Sequence, residues 1–340
     1  MVRILDPRCL SWWDAFVLKD SSATFFHCAA WARAITATYG YKPRYFVGEG
    51  QSGWCVIPVM EIRSILTGKR GVGLPFSDTV AVLGDGDAVQ METLDALKDF
   101  AARRHWRSIE LRDSIGKPGF SSSVRYVHHA IRLSRGSEIV EKSLHDSIRR
   151  SIRKGERSGV TVVYSQSMEA MEGFYRLHCL TRKRHGLPPP PLEFFRNLWR
   201  HAISPGHGFV VCASWRGRMV AAAVFLVFGE TATYKYGASL DGYTELRANH
   251  LVMWRAIERC MSDGYGSLSM GRTDIGQAGL IRYKLGWGGE ETILPYSRSG
   301  APERHSTLKT AASNLLSKAV RRTPITVLRI LGEAGYRHVG

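Results

Sequence analysis

The chain has 340 residues, of which 47 are Lys or Arg and 30 are Asp or Glu, giving a formal net charge of +17. That length predicts about two domains, and a composition of 44% hydrophobic and 10% aromatic residues excludes disordered and collagen-like classes. The charge points to a polyanionic partner, a phosphate-bearing substrate or an anionic membrane face, with solubility alone as the plain alternative.

The start, Met1-Val2-Arg3-Ile4-Leu5-Asp6-Pro7, has no apolar core of a secretory signal. The longest apolar run, Met219 to Phe228, is about ten residues against the roughly 20 of a membrane-spanning helix, so the protein is expected in the cytoplasm. Six scattered cysteines (Cys9, Cys28, Cys55, Cys179, Cys212, Cys260) form no Cys-x-x-Cys pair and read as buried, reduced thiols. A domain boundary is expected near Ser134-Arg135-Gly136-Ser137. After it Ser143-x-x-Asp146 reads as a capping box for a helix whose Leu144, Ile148 and Ile152 share one face. Arg149, Arg150, Arg153 and Lys154 give the other face its charge, either for an anionic ligand or simply for solvent.

Val160 to Tyr164 reads as a strand, Met168 to about Thr181 as a helix, and Pro188 to Pro191 as a stop before a helix over Leu192 to Ala202. Phe209 to Trp215, Met219 to Phe228 and Thr231 to Ala238 are three strands whose short turns, Arg216-Gly217 and Gly229-Glu230, force an antiparallel meander. A helix from about Asn249 to Ser262 ends at Gly264. Ser267 to Gly271 is a strand, Gly279 to Leu285 a short helix, and Thr292 to Tyr296 a last strand, so the order is β-α-α-β-β-β-α-β-α-β.

That order resembles the GNAT (GCN5-related N-acetyltransferase) fold. The resemblance sharpens over Ile152-Arg153-Lys154-Gly155-Glu156-Arg157-Ser158-Gly159, Phe174-Tyr175-Arg176-Leu177, Thr181-Arg182-Lys183-Arg184-His185-Gly186-Leu187-Pro188, Tyr236-Gly237-Ala238-Ser239, Met270-Gly271-Arg272-Thr273 and Tyr283-Lys284-Leu285-Gly286-Trp287-Gly288. These are similar to the FemAB-like branch, the lipid II:glycine glycyltransferases and their exopolysaccharide-associated relatives. Phe25-Phe26-His27 with Trp31, Tyr41-Lys42-Pro43 and Leu74-Pro75-Phe76-Ser77-Asp78 carry it into the first half. The resemblance implies an α/β (α+β) fold of two tandem GNAT-like domains, residues 1–136 and 137–300, each a mixed, mostly antiparallel sheet flanked by helices. A basic helical tail, 301–340, is expected to pack on the first domain or to lie on an anionic membrane.

In such folds two neighbouring strands splay to hold an acyl carrier, and the helix after the meander points its N-terminus at the carrier's phosphates. Here that start is Arg247-Ala248-Asn249-His250, with Arg247, Asn249 and His250 as candidate contacts. The glycines of the acetyl-CoA loop, Gln/Arg-x-x-Gly-x-Gly/Ala, are absent between Asp241 and Leu251. Gly68-Lys69-Arg70-Gly71-Val72-Gly73 has no helix after it and reads as a decoy. Arg153, Lys154, Arg182, Lys183 and Arg184 are further donor or phosphate contacts, with a solvated helix end as the alternative for the last three.

The resemblance implies amine attack on a carrier-bound carbonyl, where positioning and oxyanion stabilisation supply the rate. Lys284 is the expected polar group at that centre, or a lysine whose stem covers Trp287. Arg272 and Thr273 lie at a strand end, Arg272 suited to clamp a phosphate or carboxylate. Asp274 takes the amine proton or caps the next helix. Tyr234 and Tyr236, two apart on one strand, are expected to share a face and, with Tyr283 and Trp287, to form an aromatic wall or core. No metal is expected, because the twelve histidines show no ligand spacing. The implied reaction is acyl or aminoacyl transfer to an amine of a peptidoglycan or exopolysaccharide precursor (lipid II or a sugar nucleotide), from aminoacyl-tRNA, acyl-CoA or acyl-carrier protein. A non-catalytic nucleic-acid or polyanion binder on the same fold is the rival reading, without RRM, KH or helix-turn-helix signatures in its favour.

Overall fold

A computed structural model describes residues 1–113, 115–116, 118–300 and 316–338. The first half runs β1 (Val2–Leu5), α1 (Trp13–Val17), α2 (Ala29–Tyr39), β2 (Lys42–Gly50), β3 (Gly53–Ser64), β4 (Gly68–Val72), β5 (Leu83–Asp85), α3 (Asp87–Arg103), β6 (Ser108–Leu111) and β7 (Ser121–Arg132). The second runs α4 (Ser137–Ser143), α5 (Asp146–Arg157), β8 (Thr161–Ser165), α6 (Met168–Arg184), α7 (Leu192–Leu198), β9 (Gly208–Trp215), β10 (Arg218–Phe228), β11 (Thr231–Ser239), α8 (Ala248–Ser262), β12 (Ser267–Asp274), α9 (Ala278–Gly286) and β13 (Glu290–Gly300). A C-terminal helix spans Ile325–Tyr336.

All the strands join one mixed sheet in the order β1-β2-β3-β4-β6-β13-β7-β12-β11-β10-β9-β8, with β5 on β3. Only β4 with β6 and β11 with β12 are parallel neighbours; the other pairs are antiparallel. The last strand of each half has crossed over: β7 pairs with β12 of the second half, and β13 with β6 of the first. The two halves therefore share their central ladder, and the expected boundary at 136/137 falls at the start of α4, after β7, without interrupting it.

Helix propensity and periodicity account for the second half. Leu144, Ile148 and Ile152 are buried as one stripe, each such side chain stabilising by about 1.5–3 kcal/mol. Gly155 continues the stripe, and a Cβ there would lie 3.3 Å from Leu251 Cβ, so the glycine lets α5 sit against α8. The expected capping box is corrected: Ser143 ends α4, and His145 caps α5 by accepting from Ser147 N. In β10 every residue from Val220 to Phe228 is buried, as a strand covered on both faces requires.

One core packs α1, α2, α6 and α7 together across both halves, with Trp13, Trp31, Phe174, Phe194 and Phe195 in it; a second lies beneath α5 and α8, and a third beneath α3. Cys28, Cys55, Cys179, Cys212 and Cys260 are buried free thiols, whereas Cys9 is exposed. In the tail, Lys318, Arg321 and Arg322 are exposed on helical residues 316–322. Of the expected basic helical tail, residues 301–315, with Leu308, Lys309, Ala311, Ala312 and Leu315, lie outside the described residues. The C-terminal helix touches both halves: Arg182 Nη2 donates to Tyr336 Oη at 2.8 Å, and Tyr41 Oη donates to the Tyr336 carbonyl at 3.2 Å.

Candidate active site

β11 and β12 pair over three rungs, Thr231↔Ser267 to Thr233↔Ser269, and then part. Beyond Thr233 the opening holds a cavity of about 340 Å³, with Tyr234, Gly237 and Ser239 of β11, Asn249, His250 and Met253 of α8, Leu280 and Tyr283 of α9, and Arg184 of α6 on its walls. A second hollow of about 220 Å³ lies at the start of α8, against Arg247, Asn249 and His250. No side chain caps this helix, and Arg247 turns the chain into it at φ +53°. The hollow thus lies against the first turn of this helix, where the macrodipole favours an anion.

The aromatic wall is built differently from the period-two expectation. A β-bulge displaces the register at Lys235, so that Tyr234 pairs with Phe225 and Tyr236 with Val224, residues on opposite faces. Tyr234 lines the cavity, while Tyr236 packs among Phe174, His178, Phe194 and Phe195 on the other side of the sheet. Gly237 makes the arrangement possible, since a Cβ there would meet Tyr234 Oη at 1.9 Å.

The bulge directs Lys235 into a buried polar cluster behind the slot. Its Nζ donates to the Phe76 carbonyl at 2.7 Å and to Asp78 Oδ2 at 3.0 Å, over the Phe26 ring at 4.9 Å. Burial pushes the Asp78 carboxyl up, but Lys235, Arg272 and Lys284 outweigh it and hold the group below its ordinary value. Arg272 lies 4.6 Å from the Tyr126 ring centre and donates from Nη1 to Tyr296 Oη at 2.5 Å; that hydroxyl donates to the Asp78 carbonyl at 2.8 Å. Gly271, at φ +69°, brings β12 so close that a Cβ would lie 3.1 Å from Asp78 Oδ2.

Lys284 is 4% exposed and donates from Nζ to the carbonyls of Gly271 (2.8 Å) and Arg272 (3.2 Å), on the part of β12 that has left β11. Burial lowers its pKa to about 8, and Asp78 opposes that shift. It belongs to the Asp78 cluster and not to the cavity wall, where its neighbour Tyr283 stands. The Thr273 Oγ1 is buried without a hydrogen-bond partner.

The remaining candidates are distributed more widely. His250 stacks on the buried Trp287, with ring centres 6.1 Å apart, and burial holds its pKa near 4, so at neutral pH it faces the cavity uncharged. Trp287 is wholly buried and supports His250 and Tyr283. Arg184 reaches Ser239 Oγ at 3.4 Å on the wall, whereas Arg182 is committed to Tyr336 and the Pro188 carbonyl, and Lys183 lies off the wall. Arg153 and Lys154 are exposed on α5, where Lys154 pairs with Glu245 at 2.8 Å just before α8. Asp274 is exposed and accepts from Gly276 N at 2.9 Å, outside the cavity. Among the described residues no group of His, Cys, Asp and Glu is arranged to hold a metal ion.

Two residues of the cluster went unassigned from sequence. Asp78 stood in the quoted Leu74-Pro75-Phe76-Ser77-Asp78 without a role. Lys235 was passed over between the two tyrosines, because nothing in Thr233-Tyr234-Lys235-Tyr236 marks a bulge.

The splayed parallel pair, the cavity within it and the uncapped helix beside it form a slot where GNAT-type folds splay their sheet. Residues 142–285 match the acetyltransferase (GNAT) domain family. A stretch of 93 residues, 27% of this chain and 27% of the relative, is 26% identical to a UDP-N-acetylmuramoylpentapeptide-lysine N(6)-alanyltransferase of Weissella viridescens. The crystal structure of FemX superposes with a TM-score of 0.70 at 14% identity, covering 87% of this chain and 96% of that one. A tandem GNAT protein from the clavulanic acid biosynthesis pathway superposes at 0.54 and 9% identity, over 89% and 99%. Residues 142–285 thus match a GNAT domain, and the chain has the tandem GNAT-like α/β fold of those solved structures.

Proposed function

We propose that the chain transfers an aminoacyl group from aminoacyl-tRNA to an amine of a peptidoglycan-type cell-envelope precursor. The open slot beyond Thr233↔Ser269, beside the uncapped start of α8, carries this reading. The missing acetyl-CoA glycines favour another carrier, the net charge of +17 suits a polynucleotide one, and the alanyltransferase likeness supplies the acceptor class.

In the proposed reaction the acceptor nitrogen attacks the ester carbonyl and a C–N bond forms while charge gathers on the carbonyl oxygen. The C–O bond to the carrier then breaks, and the proton given up by the nitrogen goes to the leaving oxygen. Lys284, an ammonium below about pH 8, is held behind the slot by the Gly271 and Arg272 carbonyls and offers its positive charge from there. Positioning of donor and acceptor supplies much of the rate.

Incubation with charged tRNA, acyl-CoA or acyl-carrier protein, each with lipid II and with sugar-nucleotide-linked acceptors, tests the reading. Product from charged tRNA alone is expected. Product from acyl-CoA alone would overturn the donor, and equal affinity for uncharged, random and charged RNA without product would favour the polyanion-binding alternative.

A further inference from the structure

The outward surface of the C-terminal helix and the tip of the β3–β4 hairpin are not used by the slot, and both expose aliphatic side chains. The helix is apolar on two sides. Inward, Leu328 and Gly332 are buried, Gly332 so close to α7's approach that a Cβ would lie 2.0 Å from the Pro189 carbonyl. At about 100° per residue, Val327, Ile330, Leu331 and Ala334 fall on the opposite side. Val327 is 44%, Ile330 62% and Leu331 52% exposed.

The hairpin tip goes further: Ile65 is 93% and Leu66 71% exposed. It is nonetheless an ordered turn, in which Ser64 Oγ accepts from Leu66 N at 3.1 Å and Thr67 N at 3.0 Å. Ser64 Oγ also lies 3.0 Å from His338 Nδ1, and Arg70 Nη2 donates to the His338 carbonyl at 3.0 Å. The tip and the end of the helix are thereby fastened into one surface. Lys318, Arg321, Arg322, Arg329 and Arg337 stand against the single acid Glu333 in residues 316–338, and Leu316 is a further exposed aliphatic residue before the helix.

We propose that this surface docks the protein on an anionic lipid bilayer, with Ile65, Leu66, Ile330 and Leu331 entering the headgroup boundary. Projecting aliphatic tips on a segment with an excess of cations, of which Lys318, Arg321, Arg322 and Arg337 are exposed while Arg329 is turned onto Tyr175, fit a deformable, negatively charged layer. Protein partners are instead bound chiefly through aromatic and Arg anchors set in pockets, and leucine is under-represented among them. Among the described residues no helix is long and apolar enough to cross a membrane, so the helix lies on the bilayer. The inference is independent of the transfer reaction, since no cavity-wall residue takes part.

The test is co-sedimentation of the full chain with phosphatidylcholine vesicles, with and without phosphatidylglycerol, at low and high salt. Binding is expected only with the anionic lipid, weakening as salt rises. It should fall about tenfold or more in Ile330→Glu with Leu331→Glu, and in Ile65→Ser with Leu66→Ser. Circular dichroism and thermal melting verify folding; if the helix variant melts early, the hairpin variant decides. No binding to anionic vesicles, equal binding to neutral ones, or binding unchanged in a folded hairpin variant would overturn the proposal. So would a dimer of the wild type that the variants dissolve, which would make the surface a contact between copies.

Discussion

The two halves repeat one plan with a different charge at the same place. In the second half, β11 and β12 part after three rungs, and the helix between them in sequence starts Arg247-Ala248-Asn249-His250 with no acid in its first turn. In the first half, the equivalent parallel strands β4 and β6 pair over two rungs, the last closed by Gly73 N donating to the Glu110 carbonyl at 2.7 Å. Gly71 is a glycine because the Trp106 ring lies where its Cβ would be, at 2.1 Å. The helix between these strands opens with Asp87, and the hollow of about 300 Å³ at its start is lined by Asp85 and Asp87. An anionic carrier meets like charge there and an uncapped helix N-terminus in the other half. The charge at the helix start thus separates the two halves.

The largest expected effect concerns how the first half reaches the second. Asp78 belongs to the first and Lys235 to the second, with side chains 17% and 4% exposed. Asp78→Asn leaves Lys235 without its counter-charge and should cost about 3–5 kcal/mol in urea unfolding. The direction with pH follows from the lowered folded pKa of Asp78. Its contribution is complete above the unfolded value of about 3.9 and is lost as pH falls through the folded one. The wild-type and Asp78→Asn curves should therefore converge in acid; a gap constant with pH would mean that the pair does not couple the halves.

Next is Lys284. If its ammonium offsets charge in the slot, Lys284→Met should lower the transfer rate about 10²–10³-fold. Wild-type activity should fall as pH rises past about 8, where burial releases the proton. Lys284→Arg should retain activity through that range, because a guanidinium stays charged. An alkaline limb that persists in the Arg variant would assign it to another group.

The contrast between halves also shows what a single chain discloses. The order of elements in the second half was legible because apolar residues recur at helical spacing and the turns are chemically marked; Arg216 and Gly217, both at positive φ, make the tight hairpin that Arg-Gly suggested. The slot was legible only through resemblance, since pairing that stops after Ser269 leaves no pattern. The bulge that separates Tyr234 from Tyr236 was hidden, because alternation continues in the letters after it has failed in the backbone. Asp78 and Lys235 lie 157 positions apart and are joined by a sheet whose last strands have crossed over, which periodicity within either half does not contain. Arg182 read as a phosphate contact because its partner, Tyr336, is equally remote in sequence.

A smaller effect should come from giving α8 the acidic start that α3 has. Arg247→Asp with Asn249→Asp places two carboxylates where the carrier phosphates are proposed to lie. The donor KM should rise about tenfold with kcat little changed. Acids in a first helical turn stabilise by about 0.3–1 kcal/mol each, so the melting temperature should hold or rise while binding weakens. Weakened binding together with a lower melting temperature would point to damage at the helix start and not to charge.

Asp274 should matter least, and it separates the two readings open for that residue. Its carboxylate is exposed and accepts from Gly276 N, and its carbonyl accepts from Gln277 N, so it closes the turn that starts α9. Asp274→Ala removes one such hydrogen bond and should cost about 0.5–1.5 kcal/mol in stability. Because α9 carries both Tyr283 and Lys284, a slightly looser turn should raise the donor KM by no more than about twofold, with kcat unaltered. Asp274→Asn keeps the acceptor oxygen and should restore both. A proton acceptor would behave otherwise: kcat would fall about 10²-fold or more in both variants while stability in the Asn variant stayed intact. That result would place a proton acceptor at the exposed turn.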